Sequence, residues 1–322
     1  MLVVGENGAG KTNLLEALHV GTQGFSPRTR IDGQLVRFGE RDTLVSLSVE
    51  RDSVAHQARV KISAGMAKIA ELDGARLPSP ESLRRSFAAI VFTPDRLAVI
   101  KGAPAARRAY FDRVMGRLQP VRAALPQDYA AALAQRNAAL RRVQLGLSGR
   151  EALAPWTERV AALGEQLVNA RQEAAAAVSP GFAICAEELG LAAVGLRYDG
   201  EPPSTPALEA RLEADLARGS TGLGPHLDDV RITAGGRELR SFGSQGEQRL
   251  ALLALLVAEA ELLPSAPLLL LDDVLSELDS RRRRVLADRV ATMEQAVITA
   301  TQRSALPIEP AQVVEVTPGQ AV

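Results

Sequence analysis

Three apolar residues, Leu2 to Val4, precede a glycine-rich stretch, and Leu14, Leu15 and Leu18 then recur at the spacing of one helix face. A continuous apolar run giving way to that spacing predicts strand, loop and helix over residues 2–20. TLVSLSVE (43–50) and SVAHQARVKISA (53–64) alternate and carry β-branched residues, so the stretch from Gly33 to Ile69 reads as strands of an antiparallel sheet. AAIVFTPD (88–95) predicts another buried strand ending in a proline-marked turn. From residue 105 to 180 the pattern turns helical in YFDRVMGRL, DYAAALAQRNAALRRV and PWTERVAALGEQLVNARQEAAAAV, punctuated by Pro120, Pro126, Pro155 and Pro180. This predicts a helical lobe with a short antiparallel helix pair and Trp156 as a core anchor. The heptad signal is too short for a long coiled coil. GLRYDGEPPS (195–204) reads as strand then loop, VRITAGG (230–236) as strand, and residues 246–262 as helix. The apolar strand LLLL (268–271), an arginine-rich helix and the strand AVITAT (296–301) complete the reading, with no internal repeat.

A chain of 322 residues has room for two lobes, each with a core. The formal net charge is zero, so any nucleic-acid contact must come from local patches. Only four residues are lysine, and Lys11 is one of them. The single cysteine, Cys185, cannot form an internal disulfide and reads as a small buried hydrophobe. The apolar run over 250–263 is interrupted by Glu259 and Glu261 and is too short for a membrane span. No charged region followed by an apolar core opens the chain, so a cytoplasmic protein without membrane association is expected.

The chemistry starts at GENGAGKT (5–12). Gly5, Gly8 and Gly10 can take backbone angles closed to other residues, so with Glu6, Asn7 and Ala9 between them the loop can aim several N–H groups at one point. Lys11 adds a cation and Thr12 a hydroxyl that can bind Mg²⁺. The spacing is that of a P-loop, whose amides cradle phosphates at a helix N-terminus. Its partner carboxylate normally ends a buried parallel strand beside the loop's own strand. Asp272 and Asp273 follow four leucines and fit, with Asp272 as Mg²⁺ ligand and Asp273 polarising the attacking water. Paired acids also suit a helix start, but four leucines before them argue against an exposed face.

About 260 residues separate the two motifs, which suggests an ABC-type ATPase with a helical lobe inserted between them. That class requires a Ser/Gly motif opening a helix upstream of the acids, which binds the γ-phosphate of the partner subunit's ATP. SFGSQGEQR (241–249) supplies it, with the Ser244 hydroxyl and the open backbone at Gly246. Alone it would read as an ordinary helix cap, and it departs from the LSGGQ form at Gln245 and Glu247. SELD (276–279) matches the D-loop that crosses the dimer interface, with Asp279 acting in trans. Thr299 and Thr301 stand where a switch residue would approach the γ-phosphate, although many such proteins have histidine there.

Over nearly its whole length the chain resembles the RecF family of bacterial recombinational-repair ATPases, relatives of SMC proteins. The resemblance rests on GENGAGKTNLLEAL, FTPDRLAVIKGAPAARRAYFD (92–112), QRN (135–137), GPHLDD (224–229) and LDDVLSELD. It implies an α/β, ABC-type (SMC-like) ATPase head from residues 1–105 and 222–322, with a mainly helical lobe over 106–221. It also implies ATP and Mg²⁺ as cofactors, slow DNA-dependent hydrolysis and dimerisation on ATP. Duplex and gapped DNA, and the RecO and RecR mediators that load recombinase on single strands, are the implied partners. Family members share roughly thirty residues ahead of the P-loop, so the natural protein is expected to start upstream of Met1. A transporter ATPase subunit shares the motifs, but the Arg107-Arg108 block and GPHLDD argue against it. A non-hydrolysing structural clamp stays open, because Asp273 stands where glutamate is more usual. Arg107, Arg108 and the run Arg281 to Arg284 are candidate phosphate contacts, although such a run is more often a solvated helix face.

Overall fold

The computed structural model describes residues 1–51, 53–264 and 266–321. In chain order, β1 (Leu2–Val4) leads into α1 (Lys11–Gln23), followed by β2 (Asp42–Arg51), β3 (Val54–Ser63), β4 (Ile69–Leu72), β5 (Ala75–Arg76) and β6 (Ala89–Phe92). The middle of the chain forms α2 (Ala98–Lys101), α3 (Pro104–Leu118), α4 (Leu125–Gln144), α5 (Ala154–Glu188), β7 (Val194–Asp199), α6 (Thr205–Ala210), α7 (Leu212–Arg218), β8 (Asp229–Ala234), β9 (Arg237–Glu238), α8 (Leu239–Phe242) and α9 (Gln245–Leu262). The remainder is β10 (Leu268–Leu271), α10 (Ser280–Ala291), β11 (Ala296–Ala300), β12 (Val313–Thr317) and β13 (Gln320–Ala321).

The contacts divide the chain into two compact units. One holds Met1–Arg96, Glu188–Gly190 and the residues from Leu263 on; the other holds Leu97–Glu187 and Leu191–Leu262. The boundaries differ from the expected head and lobe. The chain crosses at residue 97 rather than 106, and 222–262, with the Ser244 loop, groups with the helical unit. The reason is α9, whose residues from Leu250 to Ala260 are all buried and which packs on α2 and α8.

In the first unit a six-stranded sheet runs β13-β12-β1-β11-β10-β6, parallel except for the terminal β12–β13 hairpin. β1 and β6 are buried throughout, which is why they read as unbroken apolar runs. The acid-bearing strand is not the immediate neighbour of β1, as the motif reading expected: β11 lies between them, with Val3 opposite Thr299 and Leu271 opposite Ile298. β12, on the other side of β1, went unread in the sequence. The antiparallel sheet β2-β3-β4-β5 forms as expected, with β2 and β3 paired along ten residues. Its apolar face (Ala58, Val60, Ile62) shares a core with Val20 of α1. Helix and sheet approach closely at Gly21, where a β-carbon would sit 2.3 Å from the Leu47 side chain.

In the second unit the helices accompany a three-stranded sheet, β7-β8-β9. α5 runs unbroken for 35 residues with Pro180 inside it, so that proline does not end a helix as expected. Trp156 is 36% exposed and is no core anchor. The buried stripe of α5 starts instead at Thr157 and continues through Val160, Ala161 and Gly164. Cys185 is buried, as read. Among the described residues, no helix is long and apolar enough to cross a membrane.

Candidate nucleotide site

Gly10 caps α1 with φ of 111°, in the left-handed region that favours glycine, and Gly8 has φ of 84°. Gly5 is required for a different reason. Its φ is not positive, but a β-carbon there would lie 2.4 Å from the Val316 carbonyl oxygen of β12. The unread strand therefore shapes the loop. Lys11 is buried, and its Nζ donates to the carbonyls of Gly5 (2.8 Å) and Glu6 (2.9 Å), which sets the cation across the loop's mouth.

Three strand ends bring the acids to this loop. Asp272 is buried, and its Oδ1 accepts from the Thr12 hydroxyl at 3.1 Å and from the Thr299 hydroxyl at 2.9 Å. Thr299 Oγ1 in turn accepts the backbone N–H of Asp273 at 2.8 Å. Asp273 has φ of 48°, a turn that points the chain away from the sheet and leaves its side chain exposed. Its carbonyl accepts from the Ser276 hydroxyl at 2.8 Å. A cavity of about 170 Å³ opens beside Asp273, lined also by Ser276, Arg283, Thr301 and Gln302.

Thus Lys11, Thr12, Asp272, Asp273 and Thr299 converge. The Thr299 side chain is fully buried and bonds both the Asp272 carboxylate and the Asp273 N–H, while Thr301 lines the open cavity. The Thr12 hydroxyl beside an Asp272 oxygen is a pair of hard oxygen donors, the chemistry that Mg²⁺ takes. The donor set fits the ion.

Ser244 sits at the head of α9, where its Oγ accepts from Glu247 N–H (3.2 Å) and its own N–H donates to Glu247 Oε2 (2.7 Å). This reciprocal pair is a capping box, which Glu247 completes. The four residues Ser244 to Glu247 are exposed, and a β-carbon on Gly246 would meet nothing within 4 Å. Asp279 caps α10, accepting from Arg282 N–H at 2.9 Å.

The candidate phosphate contacts fare differently. Arg107 is buried in a bidentate pair with Asp229 (2.6 and 2.7 Å) and also donates to the Gly102 carbonyl, so it is no surface contact. Burial alone would raise the Asp229 pKa, but the Arg107 fork holds it below the usual carboxylate range. Arg108 donates to the Asp228 carbonyl. Arg283 donates to the carbonyls of Leu275 and Leu278, and Arg282 to that of Leu189. Arg281 and Arg284 remain exposed. Residues 107–112 and 225–229 thus form a structural latch: besides Arg107–Asp229, Arg171 grips Asp112 at 2.7 and 3.0 Å and donates to the Pro225 carbonyl. Tyr129 donates to His226, and Tyr198 to Asp228.

Comparison with known proteins bears on the family and the fold. Residues 1–321 match the family model described as the RecF/RecN/SMC N terminal domain. The chain belongs to that family, whose fold is the ABC-type ATPase head. Within it the chain falls in the RecF branch. It is 38% identical to the DNA replication and repair protein RecF of Anaeromyxobacter dehalogenans (strain 2CP-C), with 96% of this chain and 88% of that protein covered. Its identity to the Frankia alni protein of the same name is 35%, covering 95% and 88%. A solved structure of the recombination mediator protein RecF with ATP, in the RecFOR pathway, superposes with a TM-score of 0.86 at 27% identity, covering all of this chain and 90% of the other. The Smc head domain of Pyrococcus furiosus shares the fold, with a TM-score of 0.59 at 18% identity and coverage of 100% and 89%.

Proposed function

We propose that this protein is an ATP-binding and ATP-hydrolysing protein of DNA replication and repair, which dimerises on ATP and binds duplex and gapped DNA. The observation that carries the reading is the meeting of Thr12 and Asp272 across 260 positions of chain, with Thr299 tying Asp272 to Asp273. In this reading the loop amides and Lys11 hold the nucleotide phosphates, and Thr12 and Asp272 hold Mg²⁺, which neutralises phosphate charge when bound. The exposed Asp273 carboxylate orients the attacking water. Hydrolysis is slow and depends on DNA.

Shared sites between two subunits are supported by the Ser244 loop. Among the described residues, a β-carbon on the exposed Gly246 would meet nothing within 4 Å, which leaves its backbone open to a partner's nucleotide. Asp279, in the segment that follows the acids, is read as acting across the interface between two subunits. RecO and RecR as partners rest on the relatives, whose structures belong to a RecFOR pathway.

The test is nucleotide binding, single-turnover hydrolysis and DNA binding measured together, with and without ATP, on duplex, single-stranded and gapped substrates. ATP-stimulated duplex binding with slow turnover is expected. Lys11→Met should cut ATP binding or hydrolysis at least tenfold, because it removes the charge at the phosphates. Near-normal turnover in that variant would sink the assignment. Tight binding with no hydrolysis would favour the clamp that uses ATP only as an interface.

A further inference from the structure

Of the arginines singled out in the sequence, Arg107, Arg108, Arg282 and Arg283 are committed to internal bonds, and Arg281 and Arg284 remain exposed. The second unit offers a corner where positive charge is only partly matched. The segment Gly219 to Gly222 connects α7 to the following loop, and its backbone is held from several sides. Thr221 N–H and Oγ1 both donate to Asn137 Oδ1 (2.8 and 2.7 Å), and His226 Nε2 bonds the Thr221 carbonyl. Gly222 N–H donates to Asp215 Oδ1 at 3.0 Å.

Onto this rigid segment two guanidinium groups converge. Arg211 Nη2 lies 3.0 Å, and Arg218 Nη1 3.4 Å, from the point where a β-carbon on Gly222 would sit. Both side chains belong to exposed residues, and among the described residues neither has a hydrogen-bonded or ion-paired partner. Asp215 Oδ1 lies 3.3 Å from the same point, but this single buried carboxylate is already paired with Arg136 at 2.9 Å, so it offsets only part of the positive charge gathered there. Arg141 reaches the same segment, its Nε 3.4 Å from the Gly219 carbonyl.

Helix capping explains part of this arrangement. Arg218 and Arg141 lie in the last turns of α7 and α4, where a cation suits the helix dipole. Arg211 stands at the joint of two short helices, at the C-terminal cap of α6, where a cation suits the dipole, and at the start of α7, where it does not, so capping gives it no net preference. Two like charges held together at an exposed, stiff corner repel each other unless an anion lies between them.

We propose that Arg211 and Arg218 form a phosphate clamp for the backbone of duplex DNA. Guanidinium forks match phosphate geometry, and an open corner suits a passing strand better than an enclosed small molecule. Such contacts position the duplex without reading its sequence. The inference rests on the DNA-binding reading above and gives it a location.

The experiment follows the binding of a labelled duplex by the ATP-bound protein across a salt series. The proteins compared are wild type, Arg211→Gln/Arg218→Gln and Arg211→Lys/Arg218→Lys. Loss of two phosphate contacts should make the log–log salt slope shallower by about 2, since each contact accounts for about 0.9. Affinity at low salt should fall at least tenfold, equally for unrelated sequences. The lysine pair should keep the slope, and the glutamine pair should keep wild-type ATP binding without DNA and the wild-type unfolding midpoint. A glutamine pair that binds like wild type, or a lysine pair as weak as the glutamine pair, would overturn the clamp while leaving the DNA-binding reading intact. Weakening confined to an RNA duplex probe would overturn the DNA assignment. A wild-type protein that binds no duplex would remove the DNA-binding reading and the clamp with it.

Discussion

The Thr299 hydroxyl donates its proton to Asp272 and accepts the N–H of Asp273, so one side chain orients both acids. Valine has nearly the same shape and no hydroxyl. Thr299→Val would leave the Asp273 N–H without its partner, at a residue already held at positive φ, and leave Asp272 to Thr12 alone. An unpaired, partly buried amide costs about 1–3 kcal/mol, which here is relieved by movement of the acid. Displacement by an ångström can lower turnover about a hundredfold. Thr299→Val should therefore reduce kcat by about ten- to a hundredfold and raise the Mg²⁺ concentration needed for half-maximal rate, with ATP still bound. Thr299→Ser, which keeps the hydroxyl, should recover most of the rate. If valine and serine behave alike, the hydroxyl does not position the acids. Asp273→Asn tests the neighbouring step: binding should persist while single-turnover hydrolysis slows, because Asp272 keeps its charge.

At the scale of elements, Arg107 joins α3 to β8, and its value is structural. Removing one partner of a buried, bidentate pair costs about 3–5 kcal/mol, because the other charge is stranded. Arg107→Ala should lower stability by that order in a denaturant titration, and Arg107→Lys should not restore it, since a single ammonium cannot replace the fork. A surface phosphate contact would show neither effect. His226 next to this latch has its pKa lowered from 6.5, chiefly by burial, with the Thr221 carbonyl opposing and Arg108 adding to the effect. The unfolded chain then binds a proton that the folded one refuses. Stability should fall as pH drops through 6.5 and level off below the folded value, whereas His226→Gln should lose that slope. Asp228, raised by burial, acts with opposite sign at lower pH. A slope unchanged by the substitution would place the titrating group elsewhere. These joins also mark where reading the chain stopped. β1, the P-loop and α1 were legible because the signal is local: an apolar run, glycines at fixed spacing, then a helical period. Arg107 and Asp229 lie 122 positions apart, and a run of two arginines carries no mark of the acid that will bury one of them. VVEVT alternates only weakly between a proline and a glycine, so β12 and its close approach to Gly5 stayed hidden. Thr299 was picked out by its place after the acids, but its bonds to the Asp272 carboxylate and the Asp273 N–H follow from strand register, which spacing does not convey.

For the whole molecule the open question is whether each site is completed by a second copy. The Ser244 loop is exposed and its glycine is unconstrained by its own chain, which fits a surface that meets a partner's nucleotide. Two inactive proteins test this. Lys11→Met breaks the P-loop and keeps the Ser244 loop; Ser244→Arg does the reverse. In a mixed two-fold pair, one composite site collects both defects and the other collects none. Subunits that exchange freely in equal amounts form about half mixed dimers, so the mixture should recover about a quarter of wild-type hydrolysis if each site works independently. If P-loop and Ser244 loop served the same chain, mixing would recover nothing. A mixture that stays inactive although mixed dimers are present leaves two outcomes, which nucleotide trapping separates. Stoichiometric trapping of one ATP per mixed dimer would mean that a sound composite site forms and that both must fire together. No trapping would mean that the site is not shared, and the Ser244 loop would then be a helix cap and no more.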